Sequence, residues 1–236
     1  MMKTASIDPF VLAARAVPSR MDRDEHGHVD RPYLTGVLID RTEEPHVAVA
    51  TDGHRLHAAP VRSRAGASEF THLAPEVARY QGEKKPKADD FVQWRPAVPA
   101  IGSMTWTCRA GVGALRQAIR LAASEASFAV DGRGRGIALT ADESVLRFGG
   151  LLDGPDWPAT YHPVPVVDVA VPVERGHQFD RPIRAAFHAR YLLDAMTGLA
   201  GTREVHLALS NCDLDPVRVD RPDGSYAVVM PVRVSG

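Results

Sequence analysis

Ala50-Thr51-Asp52-Gly53-His54-Arg55-Leu56 follows the apolar run His46-Val47-Ala48-Val49, and a second apolar stretch, Val228-Val229-Met230-Pro231-Val232-Arg233, lies far along the chain. A strand that stops in a turn bearing Gly, His and Arg, matched by an apolar tail, reads as a docking surface rather than an active site. Gly53 lets the backbone bend where a side chain would clash, and presents its neighbours at a sheet edge. His54 and Arg55 are placed to frame a pocket, with Leu34, Leu56, Val228, Met230 and Val232 as its apolar lining; methionine adapts to different ligand side chains. Such a pocket would accept a Leu or Phe from a short extended peptide and hold the peptide backbone by hydrogen bonds. Seen alone, the alternation of Val228 to Val234 is that of an ordinary core strand. Its pairing with the Thr51 to Leu56 turn moves the reading toward docking.

Composition bounds the class. The 236 residues are 44% hydrophobic, enough for a large core in one domain or two small ones. Lys and Arg number 28 against 29 Asp and Glu, so the net charge of -1 exerts no global pull on nucleic acid or anionic membrane, and any such contact must come from local patches. No apolar run approaches the roughly 18 residues of a membrane span, and Met1-Met2-Lys3-Thr4 has no basic-then-apolar leader. A cytoplasmic protein with no membrane contact is expected. Cys108 and Cys212 lack C-x-x-C spacing, and both read as buried small apolar groups rather than zinc ligands or a disulfide.

One small unit of strand, helix and further strands recurs along the chain. In the first copy, Lys3 to Ile7 is extended, Asp8-Pro9 opens a helix over Phe10 to Val17 that Pro18 closes, and strands follow at Tyr33 to Ile39 and His46 to Ala50. That copy ends near Arg62. The second begins with a strand at Met104 to Cys108. Val112, Leu115, Ile119 and Ala122 then recur at helical spacing, with Arg116 and Arg120 on the opposite face. Strands are expected next at Gly136 to Ala141, Val145 to Gly149 and Val166 to Val173. The third copy runs from Ile183 through a helix at Tyr191 to Leu199 to strands at Val205 to Leu209, Val217 to Val219 and Ala227 to Val234. Between the first two copies, residues 64 to 102 centre on the charged stretch Gln81 to Asp90 and read as a loop or linker.

These residues carry a family resemblance. Tyr33-Leu34-Thr35-Gly36-Val37 followed by Ala50 to Leu56 resembles the first half of the middle domain of the bacterial DNA polymerase III beta subunit, the sliding clamp. Phe187-His188-Ala189-Arg190-Tyr191-Leu192-Leu193-Asp194-Ala195, Asp213-Leu214-Asp215-Pro216-Val217 and Tyr226 to Val234 resemble the last half of its C-terminal domain, in order and at similar spacing. The resemblance covers most of the chain, with the family's N-terminal domain absent. It implies an α+β DNA-clamp fold of repeated strand-helix-strands half-units, with helices on one face of antiparallel sheets. Residues 1–98 would resemble the middle domain with a shortened second half, and 99–236 the C-terminal domain. The segment joining these domains is matched by Phe91 to Pro99 and also by Leu152 to Trp157, so the boundary lies near 98 or near 165. The first is preferred because Arg109 to Gly149 then completes the last domain.

The resemblance also implies sites. In the family, polymerases and repair factors dock short linear motifs in a hydrophobic pocket. The matching positions here are Leu34, Thr51, Gly53, His54, Arg55, Leu56, Tyr191, Leu214, Pro216, Val228, Met230, Pro231, Val232 and Arg233. His188 stands where the family usually has Asn, and Val92 and Ala97 join the set in the preferred register. Helices of the clamp fold line a central hole, so basic residues on their outer faces would meet duplex DNA phosphates without reading sequence. Candidates are Arg15, Arg20, Arg116, Arg120 and Arg190; Arg31 and Tyr33 match positions that touch DNA, and Arg133 and Arg135 lie on an expected turn.

Catalysis finds no support. His26 and His28 have metal-ligand spacing but no second ligand pair, and Gly132-Arg133-Gly134-Arg135-Gly136 leads into a strand, the wrong context for a phosphate loop. No third group orients Asp52 and His54 for acid-base work. The expectation is therefore a processivity or tethering factor without catalytic residues, cofactor or metal, forming a homo-oligomer on DNA with a possible need for a clamp loader. The alternative is a non-encircling module that keeps the peptide pocket and regulates or competes with a full-length clamp.

Overall fold

A computed structural model of the chain describes residues 9–14, 31, 34–61, 66–72, 88–127, 129–130, 134–142, 144–152, 164–171, 173–176, 182–196, 203–210, 212 and 214–232. The chain divides into two compact units, Met1–Val98 with Asp223–Ala227, and Pro99–Pro222 with Val228–Gly236. The expected strand at Lys3 to Ile7 lies outside the described residues.

In the first unit, helix α1 (Pro9–Ala14) packs on an antiparallel sheet of β1 (Gly36–Asp40), β2 (Val47–Thr51), β3 (Arg55–Pro60) and β4 (Glu69–His72), ordered β4-β1-β2-β3. Side chains alternate between sheet faces. Ala13 meets Val37, Ala48 and Ala50 on one face. Leu38 and Asp40 point to the other, where Phe70 stands opposite Leu38 in register and its ring lies 5.6 Å from that of Phe91. The linker reading of residues 64 to 102 is corrected here. Glu69–His72 forms the edge strand, while Phe91 and Trp94 are buried, so the apolar groups flanking the charged stretch serve as a lid on the sheet. A third strand, β3, was also not anticipated. Its polar start at Arg55 hides a run in which Leu56 to Ala59 are all buried.

The second unit contains two strand-helix-strands halves. The first comprises β5 (Trp106–Gly111), α2 (Val112–Glu125), β6 (Ala129–Val130), β7 (Gly134–Asp142), β8 (Val145–Gly150), β9 (Val164–Ala170) and β10 (Val173–Gly176). The second has β11 (Ile183–His188), α3 (Ala189–Ala195), β12 (Glu204–Leu209) and β13 (Val217–Asp220), followed by β14 (Tyr226–Val229). Each half lends its first strand to the other. β5 pairs with β12, and β11 pairs with β7, both antiparallel, giving sheets ordered β10-β5-β12-β13 and β11-β7-β8-β9. This exchange makes neither half complete alone.

Helix α2 buries Val112, Leu115, Ala118, Ile119 and Ala122 on one stripe, the 3.6-residue period made physical. Its last turn sits on β8 because Gly150 has no side chain: a Cβ there would stand 2.6 Å from both the Ala122 carbonyl oxygen and the Ala126 nitrogen. Trp106, Phe187, Leu115 and Ile137 are among the largest fully enclosed side chains, each worth about 1.5–3 kcal/mol if aliphatic or phenyl. Two strand expectations are revised. The single strand at Val166 to Val173 is two, β9 and β10, which join different sheets. The expected C-terminal strand to Val234 ends at Val229, and the chain then leaves as Met230-Pro231-Val232. Cys108 is buried as expected, whereas Cys212 is exposed because its segment is a surface turn, closed by the Asp215 N–H donating to the Cys212 carbonyl at 3.2 Å.

Candidate functional site

The turn between β2 and β3 is held by its own side chains. Asp52 Oδ1 accepts from the backbone N–H groups of His54 (3.0 Å) and Arg55 (2.9 Å), while Oδ2 accepts from Arg55 Nε at 3.1 Å. Thr51 Oγ1 donates to the Arg55 carbonyl at 2.7 Å and accepts from the Gly53 N–H at 3.0 Å. Gly53 has φ of 88°, the left-handed region that glycine enters most easily. The Asp52 and Arg55 side chains are only 6% and 4% exposed. Thus the guanidinium of Arg55 lies inside the turn rather than framing a rim. Leu34, Thr51 and Leu56 are also buried, and Gly53 and His54 are the exposed members of the set.

In the second unit two docking candidates, His188 and Tyr191, lie at the start of α3. His188 ends β11 and caps the helix: its Nδ1 accepts from the Arg190 backbone N–H at 3.2 Å. Its ring stacks on Tyr191, centroids 4.2 Å apart and planes 19° from parallel. The other end of α3 is closed by Arg221, whose NH2 donates to the Ala195 carbonyl at 2.8 Å, a cation at the negative end of a helix. Leu214 and Met230 stand out as large apolar side chains left 53% and 39% exposed. Pro216, Pro231 and Val232 are half-buried, and Val228 is buried. The Val232 N–H donates to the Ala186 carbonyl at 2.7 Å, and its side chain packs on Ala138, Leu151 and Ala186, anchoring the tail beside β11. Arg233 lies outside the described residues.

Among the DNA candidates, Arg15, Arg20 and Tyr33 lie outside the described residues, as does Arg133. Arg31 is exposed, and Arg190 is exposed with Nε 3.8 Å from Asp194. Arg135 is exposed at the start of β7, where its NH1 donates to the Ser127 carbonyl at 3.0 Å. Helix α2 differs. Arg116 is half-buried and Arg120 exposed, and neither forms an ion pair among the described residues; Arg116 Nε is buried with no hydrogen-bond partner among them.

One polar network was not anticipated. Asp40, at the end of β1, accepts from the Thr42 backbone N–H (2.9 Å) and hydroxyl (2.7 Å) through Oδ1, and from Trp94 Nε1 and Arg95 NH2 (both 3.0 Å) through Oδ2. Arg95 lies over the Trp94 ring at 4.7 Å and also pairs with Glu43 at 2.9 Å. Burial pushes the Asp40 carboxyl pKa up, but the bonds from Thr42 and Trp94 and the charge of Arg95 outweigh it and hold the group below its ordinary value. The network is structural: it fastens 91–95 to the sheet. Trp94-Arg95 in a polar segment was the available signal. Among the described residues no cluster of three His, Cys, Asp or Glu side chains could hold a metal, and no helix is long and apolar enough to cross a membrane. His26 and His28 lie outside the described residues.

Strand-helix-strands halves that exchange strands between antiparallel sheets, each helix packed against them, give this chain the fold of the DNA sliding clamps. It is similar to the DNA polymerase III subunit beta of Pseudomonas aeruginosa, with TM-score 0.67 and 20% identity over 94% of this chain and 63% of that one. It is likewise similar to the Caulobacter crescentus pol III beta, with TM-score 0.67 and 20% identity over 96% of this chain and 64% of that one. A further P. aeruginosa sliding clamp, bound to griselimycin, matches with TM-score 0.62 and 21% identity over 90% of this chain and 60% of that one. The chain therefore spans less than two thirds of these clamps. No family model and no curated protein matches the sequence.

Proposed function

We propose that the protein is a clamp-like tether, a binding protein rather than an enzyme, that contacts duplex DNA without reading sequence and docks short apolar segments of partner proteins such as polymerases or repair factors. The observation that carries the reading is helix α2, which on a sliding-clamp fold presents two arginines, Arg116 and Arg120, with no ion pair among the described residues. Guanidiniums with no carboxylate to satisfy them are free to replace counterions on phosphate. Docking is supported by Leu214 and Met230, large apolar side chains left exposed, and by the exposed Gly53 and His54 of the first unit's turn. The other positions assigned from the resemblance belong to the same proposal, as does assembly into a homo-oligomeric ring. A non-encircling module would use the same surfaces, and light scattering of the purified protein separates the two: a strict monomer that is not retained on circular duplex DNA contradicts the ring.

The DNA reading is tested by fluorescence anisotropy of a labelled duplex across a salt series. Loss of two phosphate contacts in the Arg116→Ala/Arg120→Ala variant should flatten the slope of log affinity against log salt by about 1.8. An unchanged slope and affinity would refute it. Griselimycin, seen on a clamp of this fold, is the first probe of docking.

A further inference from the structure

We propose that His188 is a positioning residue for peptide docking: its neutral imidazole caps α3 and holds Tyr191, so docking weakens when His188 takes up a proton. This rests on the docking reading above and adds a regulation that reading does not contain.

The argument begins with the cap. His188 is 4% exposed, and its Nδ1 accepts the Arg190 N–H, one of the donors that the first turn of a helix cannot satisfy internally. Acceptance requires a lone pair on Nδ1. A protonated imidazole carries N–H on both nitrogens and turns that contact into donor against donor. Imidazole ordinarily changes charge between about pH 5 and 8, and one that is buried and accepts a hydrogen bond does so toward the acid end of that range or below it. Ser, Thr, Asp or Asn at the same position would accept across that range, so the choice of His makes the cap conditional. The sequence resemblance expects Asn there.

Two features tie the cap to the docking face. α3 has seven residues, too few to persist without its caps and packing. Tyr191 is the third of them, and its ring lies on the imidazole face at 4.2 Å. A change at His188 therefore reaches a proposed docking residue directly, through one stacked contact and one helical turn. α3 packs against α2, β7 and β11. The charged groups those elements carry are Arg116, Arg120 and Glu125, Arg135 and Asp142, and Arg184, beside Arg190 and Asp194 on α3 itself. Of the carboxylates, Asp142 is paired with Arg147 and Asp194 lies near Arg190.

The test follows a rhodamine-labelled peptide bearing Leu and Phe, bound to the full chain from about pH 8 to about pH 4.5, alongside the Arg190 backbone amide resonance. Wild-type affinity should fall about fivefold, the typical effect of losing an N-cap. Whatever its affinity at pH 8, His188→Asn, which accepts at every pH, should lose less than about twofold over the same range. The Arg190 amide should shift together with the His188 ring protons in wild type and stay still in His188→Asn. An identical decline in both proteins, or an Arg190 amide that ignores His188 ionisation, overturns the proposal. If no peptide binds at pH 8 while the amide does titrate, the docking reading has failed and the role in docking falls with it, leaving a pH-dependent cap alone.

Discussion

Replacing Asp40 with Asn is expected to loosen the 91–95 segment from the first unit's sheet. The carboxylate meets four donors, two at each oxygen. An amide has one acceptor oxygen. Whichever way it is turned, its NH2 faces two donors, either the Thr42 pair or Trp94 Nε1 with Arg95 NH2. A buried donor left without an acceptor costs about 1–3 kcal/mol. The Arg95 charge adds little, since its side chain is 35% exposed and such pairs are worth about 0–1 kcal/mol. A loss near 2–3 kcal/mol is therefore expected, which at a urea m-value of about 2 kcal/mol/M moves the midpoint down by about 1 M. The pH dependence fixes the cause. Because the Asp40 pKa is lowered on folding from its ordinary 3.8, its charge stabilises the fold above that value, and the benefit is lost as pH falls through the lower folded pKa. The gap between wild type and Asp40→Asn should thus be full at neutral pH and narrow below about pH 4. Equal midpoints at neutral pH, or a gap that persists undiminished in acid, would refute the reasoning.

Other outcomes follow from single contacts. Gly53→Ala meets no neighbour within 4 Å, so its cost should be that of φ at 88° alone, about 1 kcal/mol by thermal unfolding, with Gly53→Asn closer to wild type. Gly150→Ala drives a Cβ into backbone on both sides and should cost about 1–3 kcal/mol, with lost protection of the last turn of α2 in hydrogen exchange. Under native conditions a thiol reagent should modify Cys212 and leave Cys108 unreacted until denaturant is added.

Much of the fold was legible because its signals are local. The stripe Val112, Leu115, Ile119 and Ala122 marks α2 by period alone, and Thr51-Asp52-Gly53 announces a tight turn. What the turn does with Arg55 was not legible: Asp and Arg three apart read equally well as a displayed charge pair, and only the enclosing side chains decide that the pair is buried. The lid at Phe91 and Trp94 was hidden because its partner, Asp40, lies 54 residues away from Trp94, beyond any windowed pattern. The exchange of β5 and β11 between halves was invisible for a related reason, since each strand looks the same whichever sheet receives it. At the candidate site, Met230 could be named from apolar patterning, and Leu214 only from the family resemblance. The capping role of His188 could not, because it depends on where β11 stops.

Tethering means holding DNA and a partner at once, and that is the most direct thing to measure. A labelled duplex and a labelled Leu- and Phe-bearing peptide, mixed with the protein, should migrate together on a native gel, and the complex should lose its DNA in the Arg116→Ala/Arg120→Ala variant and its peptide in Met230→Glu. Peptide that is displaced as DNA is added, or that never accompanies it, would contradict the account.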